Sequence, residues 1–183
     1  MGRVTHFDKA LEHVFNIEGL FSDDATDRGG KTKYGITEAV ARKHGYQGEM
    51  RDLSPMRARA IYKLAYWDGL RLDDVAALSQ PIALEIFDTG VNCGQGVAAK
   101  FLQRSLNALN REAADYPDVV VDSELGPVTV STLRTYLQRR GRDGEIVMLR
   151  ALNALQGARY IAIAESDSSQ EKYVYGWFRQ RVN

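Results

Sequence analysis

Residues 18–37 of this sequence read EGLFSDDATDRGGKTKYGIT, and this stretch decides how the rest of the chain is interpreted. One carboxylate, Glu18, stands at the end of a predicted helix, and three aspartates follow it within nine residues. The glycine pair at 29–30 favours a turn, and residues 32–36 alternate as in a short strand. The pattern therefore predicts an acidic loop and a small hairpin between two helices.

The helix before Glu18 has one apolar face. Its apolar residues recur at helical spacing and are Phe7, Leu11, Val14 and Phe15. Glu18 follows Val14 by four residues, so its side chain is predicted on this apolar face. An apolar neighbourhood disfavours the charged carboxylate and raises its pKa, as a general acid near neutral pH requires. The alternative is a helix-end glutamate that bends into water, and position alone leaves both readings open.

Asp27 lies nine residues after Glu18, across the predicted hairpin. A hairpin returns the chain on itself, so the two acids can face one cleft. Glycoside hydrolysis uses such a pair, one protonated acid and one charged carboxylate, roughly 5 to 9 Å apart. The spacing therefore indicates two candidate catalytic residues.

The same stretch resembles the signature of the glycoside hydrolase 108 family, lysozyme-like N-acetylmuramidases common among phage endolysins. That signature reads close to EGGYxxDPxDxGGxTxYGIT, and the chain departs from it at Leu20, Phe21 and Ala25. The matching positions are Glu18, Gly19, Asp24, Asp27, Gly29, Gly30, Thr32, Tyr34, Gly35, Ile36 and Thr37. The family's catalytic acid is the glutamate of this motif, which implies Glu18 here.

A weaker similarity to the phage-T4-type lysozymes concerns their Glu, Asp and Thr. Glu18 and Asp27 match the Glu-to-Asp spacing, but Lys33 occupies the Thr position and Thr32 falls one residue early. The role of a threonine therefore stays open.

These resemblances imply a mainly α, lysozyme-like α+β fold: a helical bundle with a small β-hairpin beside the active-site cleft. They also imply that four residues near the acids contact the sugar chain, namely Asp24, Thr32, Tyr34 and Thr37. The helix predicted before Gly69 begins at Ser54-Pro55, where a cap is followed by proline.

The segment FDTGVNCGQG at 87–96 is also similar to the family. It predicts three further residues that line the cleft, Asp88, Asn92 and Gln95. Helix capping around the two internal glycines is an equally good explanation of this segment.

The back half of the chain resembles the peptidoglycan-binding segment that follows the catalytic part in the same family. The similarity lies in FLQRSLNAL at 101–109 and in the spacing of Asp122, Gly126 and Thr129. Other wall-binding modules usually have glycine where this chain has Ser123. The alternative is a turn that joins two helices, with Pro127 at the start of the second.

Length and composition suit an ordinary globular protein. The 183 residues predict a catalytic part at 1–75 and a helical part at 76–183 with the peptidoglycan-binding segment, packed as one compact unit. The chain has 24 lysines and arginines and 24 aspartates and glutamates, so its net charge does not indicate binding to nucleic acid or to a membrane surface. No apolar run approaches a membrane span, and we expect a monomer whose partner is the glycan strand of peptidoglycan.

The first residues, MGRVTHFD, lack the apolar core of a secretory signal. Cys93 is the single cysteine, which fits folding in a reducing cytosol. We therefore expect synthesis in the cytoplasm of a bacterial host and action on periplasmic peptidoglycan after release, with a holin as the releasing agent.

Metal and cofactor sites are not predicted. The three histidines form no HExxH pair, so a zinc site is not indicated. The segment DDATDRG is a poor calcium loop, because Ala25 and Arg28 replace ligand and glycine positions. The back helices are locally basic, which we interpret as a solvated face; the arginines are Arg134, Arg139, Arg140, Arg142, Arg150 and Arg159.

The leading hypothesis is thus an enzyme, a muramidase that cleaves the β-1,4 bond between N-acetylmuramic acid and N-acetylglucosamine. A lytic transglycosylase, which uses a lone acid, is a second possibility, and Asp27 favours hydrolysis over it. A non-catalytic peptidoglycan-binding protein is the third, and the intact pair of Glu18 and Asp27 argues against it.

Overall fold

Helices make up most of the chain that the structure describes. The computed structural model describes residues 5–17, 21–22 and 32–182. The chain divides into two compact units, Met1–Gly69 and Leu70–Asn183.

The first unit begins with helix α1, His6–Ile17. Thr5 and Asp8 form a reciprocal capping box, in which the Asp8 N–H donates to Thr5 Oγ1 at 3.2 Å and the Thr5 N–H donates to Asp8 Oδ2 at 2.9 Å. The apolar face predicted from the spacing is buried at Phe7, Leu11 and Val14. The last turn of α1 therefore leads directly into Glu18 from a helix whose apolar face is packed.

A small antiparallel sheet follows, formed by strands β1 (Phe21–Ser22), β2 (Thr32–Lys33) and β3 (Ile36–Thr37) in that order. Ser22 lies opposite Thr32, and Thr32 lies opposite Thr37. The predicted hairpin is the β2–β3 pair, and β1 adds a third strand that the alternation did not indicate.

Helices α2 (Glu38–Lys43) and α3 (Pro55–Tyr62) complete the first unit. Thr37 caps α2 by accepting a hydrogen bond from the Val40 N–H, and Ser54, the predicted cap of α3, accepts one from the Arg57 N–H. The chain continues from α3 as one π-helical stretch, Lys63–Asp68. Trp67 in this stretch packs edge-on against Phe7, with ring centroids 5.5 Å apart, and so joins α1 to the end of α3.

The second unit consists of helices whose bounds are α4 (Leu72–Ala76), α5 (Gln80–Cys93), α6 (Gln95–Ala108), α7 (Pro127–Ser166) and α8 (Glu171–Arg181). Helix α5 is its central element, since it packs against α4, α6 and α7. The fully buried residues Ile82, Ile86 and Phe87 supply its apolar surface.

The bend between α5 and α6 depends on glycine. Gly94 has φ 99°, a left-handed conformation that residues with a Cβ rarely adopt. One turn earlier, a Cβ at Gly90 would lie 2.8 Å from Leu70 Cδ1. Backbone geometry and close packing thus explain two of the three glycines of the FDTGVNCGQG segment, Gly94 and Gly90.

Helix α7 is interrupted at one glycine. Gly141, with φ 57° and ψ −144°, is non-helical inside the otherwise helical stretch. The second arm of α7 resumes directly after this residue.

The mainly α fold with one small antiparallel sheet confirms the predicted fold class. The boundary between the compact units falls at 69/70, and the division into a catalytic part at 1–75 and a helical part at 76–183 stays a prediction. Across the part of the chain that the structure describes, no helix is long and apolar enough to cross a membrane.

Candidate active site and substrate contacts

The predicted catalytic acids follow α1 and the first strand. Glu18, Asp24 and Asp27 lie outside the described residues, so their mutual distances stay predictions. The structure describes the elements that flank these residues in sequence, α1 and the short sheet, together with Tyr62 of α3, which contacts the hairpin turn.

The β2–β3 hairpin brings together two of the predicted sugar contacts. Thr32 and Thr37 are directly opposite each other, so both side chains lie on one face of the hairpin. Lys33 and Ile36 share the other face, where Ile36 is fully buried. The threonine face is half-buried and carries two hydroxyls, and it is the polar face of this sheet.

Tyr34, the third predicted contact, occupies the hairpin turn. Tyr34 and Gly35 have φ values of 53° and 72°, the left-handed pair of a type I′ turn. This conformation is unusual for an aromatic residue and carries strain, which surrounding contacts must offset. The Tyr62 hydroxyl donates to the Tyr34 carbonyl at 2.5 Å, and Lys33 Nζ donates to the Arg51 carbonyl.

Tyr62 therefore fixes the turn that presents Tyr34. It is fully buried in α3, and sequence reasoning did not identify it. The sequence contained only a weak indication of this role, because a tyrosine on the apolar face of a helix usually belongs to the hydrophobic core.

Asp88 lies in a different environment from the one that the sequence suggested. It is 3% exposed in α5 and forms an ion pair with Arg181 of α8. Gln156 of α7 donates to its other oxygen at 3.1 Å. A carboxylate engaged on both oxygens in the core of the second unit holds helices together, and the substrate contact predicted for it stays a prediction.

Glu85 stands one turn before Asp88 on the same helix. Desolvation, followed by the negative charge of Asp88, raises its pKa to about 8, and hydrogen bonds from Asn153 and Thr89 act in the opposite direction. Burial therefore favours a neutral Glu85 near pH 7.

Asn92 and Gln95 flank the bend at Gly94, and both are half-buried. The thiol of Cys93 donates to Asn92 Oδ1 at 3.6 Å, and desolvation raises the pKa of this thiol to about 11. A thiol with that pKa is inert at neutral pH, as expected for a small structural cysteine. The roles of Asn92 and Gln95 in binding sugar stay predictions.

The wall-binding motif of the back half is organised around one glutamine. Gln103 Nε2 donates to Asp122 Oδ1 at 2.6 Å and to the Glu124 carbonyl at 2.9 Å, and Gln103 Oε1 accepts from the Ser123 N–H. Thr129 also contacts Gln103 Nε2, at 3.4 Å. Asp122 and Thr129 thus help to build the turn before α7 through their contacts with Gln103.

Sequence reasoning missed a second group of residues near the break in α7. Three arginines, Arg111, Arg139 and Arg140, converge on the buried carboxylate of Asp115. Arg139 and Arg140 were predicted to belong to a solvated basic face. The position of Asp115 could not be predicted, because it lies in a polar loop whose sequence has no periodicity.

Comparison with known proteins identifies two family models that the chain matches and a solved structure with a similar fold. Residues 11–94 match the family described as Glycosyl hydrolase 108, and residues 97–182 match the family described as Predicted Peptidoglycan domain. The solved structure of Brucella abortus SagA is similar, with a TM-score of 0.66 and 24% identity over 92% of this chain and 90% of that one. At 24% identity this similarity shows a shared fold and nothing further. No curated protein matches the chain.

Proposed function

Because this chain belongs to the glycosyl hydrolase 108 family and carries the family's peptidoglycan domain, it is a peptidoglycan hydrolase, and we propose that it is a muramidase. The bond we assign is the β-1,4 linkage between N-acetylmuramic acid and N-acetylglucosamine. The observation that carries the proposal is the match over residues 11–94, a segment that contains both predicted catalytic acids.

In the proposed reaction, Glu18 donates its proton to the leaving glycosidic oxygen. Asp27 positions or activates the water, or stabilises the oxocarbenium-like transition state. The packed apolar face of α1, with Leu11 and Val14 buried, supports a raised pKa for a carboxyl that continues this face.

The polar face of the β2–β3 hairpin supports the assignment of substrate contacts. Thr32 and Thr37 place two hydroxyls on one side, and Tyr34 stands at the turn between them. Hydroxyl and aromatic groups suit a sugar ring, which offers hydroxyls at its edge and C–H groups on its face. We assign Asp24 to the same groove on the family motif alone.

The peptidoglycan domain supports action at the bacterial wall, and we extend the proposal to an endolysin that acts from the periplasmic side after release. Lysis of wall exposed by permeabilisation, with little effect on intact Gram-negative cells, is the expected behaviour.

The assignment of Glu18 is tested by Glu18→Gln, which keeps the size of the side chain and removes the proton. We expect a folded protein whose hydrolysis of purified peptidoglycan falls by about 10² to 10⁴-fold. Zymography beside the wild type measures this loss, and circular dichroism checks the fold. Activity above about a tenth of the wild-type rate would end the assignment of Glu18.

Asp27→Asn separates a catalytic from a binding role. It removes a charge and keeps the shape, so turnover should fall while affinity for sedimented wall stays close to that of the wild type. A collapse of affinity with unchanged turnover of bound substrate would make Asp27 a binding residue.

Mass spectrometry of the digested wall identifies the bond and the reaction. New reducing ends on N-acetylmuramic acid support the muramidase, whereas anhydro ends identify a lytic transglycosylase. Wall binding with no released fragment would indicate a non-catalytic protein.

A further inference from the structure

A cavity of about 440 Å³ opens in the second unit between the end of α6 and the break in α7. Its apolar walls come from Ala108, Leu109 and Val147, and its charged groups are Arg111, Arg140 and Asp143. This volume lies within the range of roughly 300 to 1,000 Å³ that small-ligand sites occupy. An apolar floor with a few charged groups is also the usual composition of such sites.

The break in α7 gives the cavity a fixed shape. The Tyr136 hydroxyl donates to the Gly144 carbonyl at 2.9 Å, which ties the two arms of α7 together across Gly141. A Cβ at Gly144 would lie 2.3 Å from Arg140 Cβ, so only glycine allows the two arms to approach this closely. On the α7 side, the shape of the cavity is therefore fixed by a buried hydrogen bond and by close packing.

The charges at the rim are unbalanced. Arg111 binds Asp115 through two nitrogens, at 2.5 and 3.1 Å, while Arg139 and Arg140 each use one nitrogen, at 3.2 and 2.9 Å. The hydrogen bond from Arg111 is the main cause that lowers the pKa of Asp115 to about 2, so this carboxylate is charged at neutral pH. Three cations thus face the buried carboxylate of Asp115, and Asp143 is the other anion at the cavity.

The guanidinium groups retain donors for a ligand. A guanidinium has five N–H groups in a planar fork that matches a carboxylate. Arg140 uses one of its nitrogens for Asp115, and its side chain is 38% exposed beside the cavity. Asp115 therefore orients Arg140 without using up its capacity to bind an anion.

The backbone that carries Arg111 is strained. Arg111, Glu112 and Ala113 have φ values of 52°, 59° and 59°, three consecutive non-glycine residues in the left-handed region. Strain of this kind persists only where surrounding contacts impose it, and it concentrates at ligand sites. Here it places the guanidinium of Arg111 at the rim of the cavity.

We propose that this cavity binds the peptide stem of peptidoglycan through a free carboxylate. Arg140 and Arg111 donate to the carboxylate, Asp143 faces the side-chain ammonium group of the diamino acid, and small aliphatic groups lie against Ala108, Leu109 and Val147. The choice of this polymer rests on the proposed function, but binding of the stem is separable from cleavage of the glycan.

The chemistry of the ligand agrees with each part of the cavity. A peptidoglycan stem is a short peptide with free carboxylates, alanine methyl groups and, in many bacteria, a diamino acid with a terminal ammonium group. A sugar offers no charge to the arginine pair, and a bare phosphate leaves the apolar walls without a partner.

The test is calorimetric titration of the full chain with the synthetic tetrapeptide L-alanyl-γ-D-glutamyl-meso-diaminopimelyl-D-alanine. A glycoside hydrolase does not cut this peptide, so the wild-type protein can be used. The same peptide with its carboxylates converted to amides is the control ligand. We expect the acid form to bind and the amide form to bind at least about tenfold more weakly, since charged hydrogen bonds are lost.

Arg140→Gln and Arg139→Gln form a matched pair, because each removes one cation from Asp115 and only Arg140 lines the cavity. Arg140→Gln should weaken peptide binding at least about tenfold, and Arg139→Gln less than about threefold. Val147→Glu, at a half-exposed position, places an anion in the cavity and should abolish binding without threatening the core.

The proposal would be overturned if the two arginine variants lost the same affinity for the tetrapeptide, or if the Val147→Glu variant still bound the tetrapeptide tightly. The absence of tetrapeptide binding in a wild-type protein that still hydrolyses glycan would also overturn the proposal, and it would leave the proposed function intact. Stem binding in a protein that cleaves no glycan would support the cavity and refute the proposed function. Binding to phosphatidylglycerol vesicles without binding to the tetrapeptide would also overturn it.

Discussion

Two carboxylates one turn apart on α5 illustrate how burial acts on single residues. Asp88 is paired with Arg181 and receives a hydrogen bond from Gln156. Glu85 faces the negative charge of Asp88 in a desolvated position, which raises its pKa to about 8 from the usual 4.5. Near pH 7 the folded chain therefore keeps a proton on Glu85 that the unfolded chain releases.

This difference predicts that stability falls as pH rises. The folded pKa is the higher one, so the contribution of Glu85 is fully present below pH 4.5 and is lost as the pH approaches 8. We expect a loss on the order of 1 kcal/mol per pH unit within this window, and Glu85→Gln should remove that slope. Urea unfolding at pH 5, 6, 7 and 8 measures it, and identical slopes in both proteins would contradict the assignment.

Helix α6 and the residues directly after it hold the long polar loop of the second unit. Three amide side chains, spaced three or four residues apart, bind the loop. Gln103 binds the turn at 122–124. Asn107 forms hydrogen bonds with the N–H and the carbonyl of Val119, and Asn110 does the same with Tyr116. These side chains supply hydrogen-bond partners to the backbone of a loop that has no regular structure. Buried backbone N–H and carbonyl groups require such partners.

Asn110 has the most buried of these contacts, since its side chain is fully buried and it bonds the Tyr116 backbone at 2.6 and 3.1 Å. Asn110→Ala should lower the free energy of unfolding by about 1 to 3 kcal/mol, because a buried donor and acceptor lose their partners. Arg104→Ala, on the exposed side of α6, is the control and should change stability by less than about 0.5 kcal/mol. Denaturant unfolding compares the two, and equal effects would show that the loop does not depend on Asn110.

At the scale of the whole chain, the two family segments do not coincide with the two compact units. The hydrolase segment ends at residue 94 and the peptidoglycan domain begins at 97, yet α5 packs in the same unit as α6, α7 and α8. The ion pair between Asp88 and Arg181 joins one segment to the last turn of the other, with both side chains at most 5% exposed. The second unit is therefore built from both segments.

Arg181→Met should destabilise this unit strongly. It leaves the Asp88 carboxylate buried without its cation, which costs about 3 to 5 kcal/mol. Arg179→Met, on an exposed side of α8, removes the same charge and serves as the control. Thermal unfolding should separate the two variants clearly, and similar midpoints would show that the pair contributes little to the core.

Local pattern was sufficient for most of the elements. The cap at Ser54 lies where the sequence predicts it, and the capping box at Thr5, the cap at Thr37 and the break at Gly141 likewise follow from local residue patterns. Each of these features is decided by residues within four positions of one another, so a linear sequence contains the information. The third strand of the sheet was missed, because two residues are too few to show alternation.

The sequence by itself determined the helical class, the family and the candidate acids, because spacing along a helix and a contiguous motif are local properties. Only the tertiary structure decided that Asp88 pairs with Arg181, that Tyr62 holds the turn at Tyr34, and that Arg111, Arg139 and Arg140 share Asp115. These partners stand between four and ninety-three positions apart. The charge and exposure of a side chain depend on what the fold packs against it, and that is a property of the assembled core.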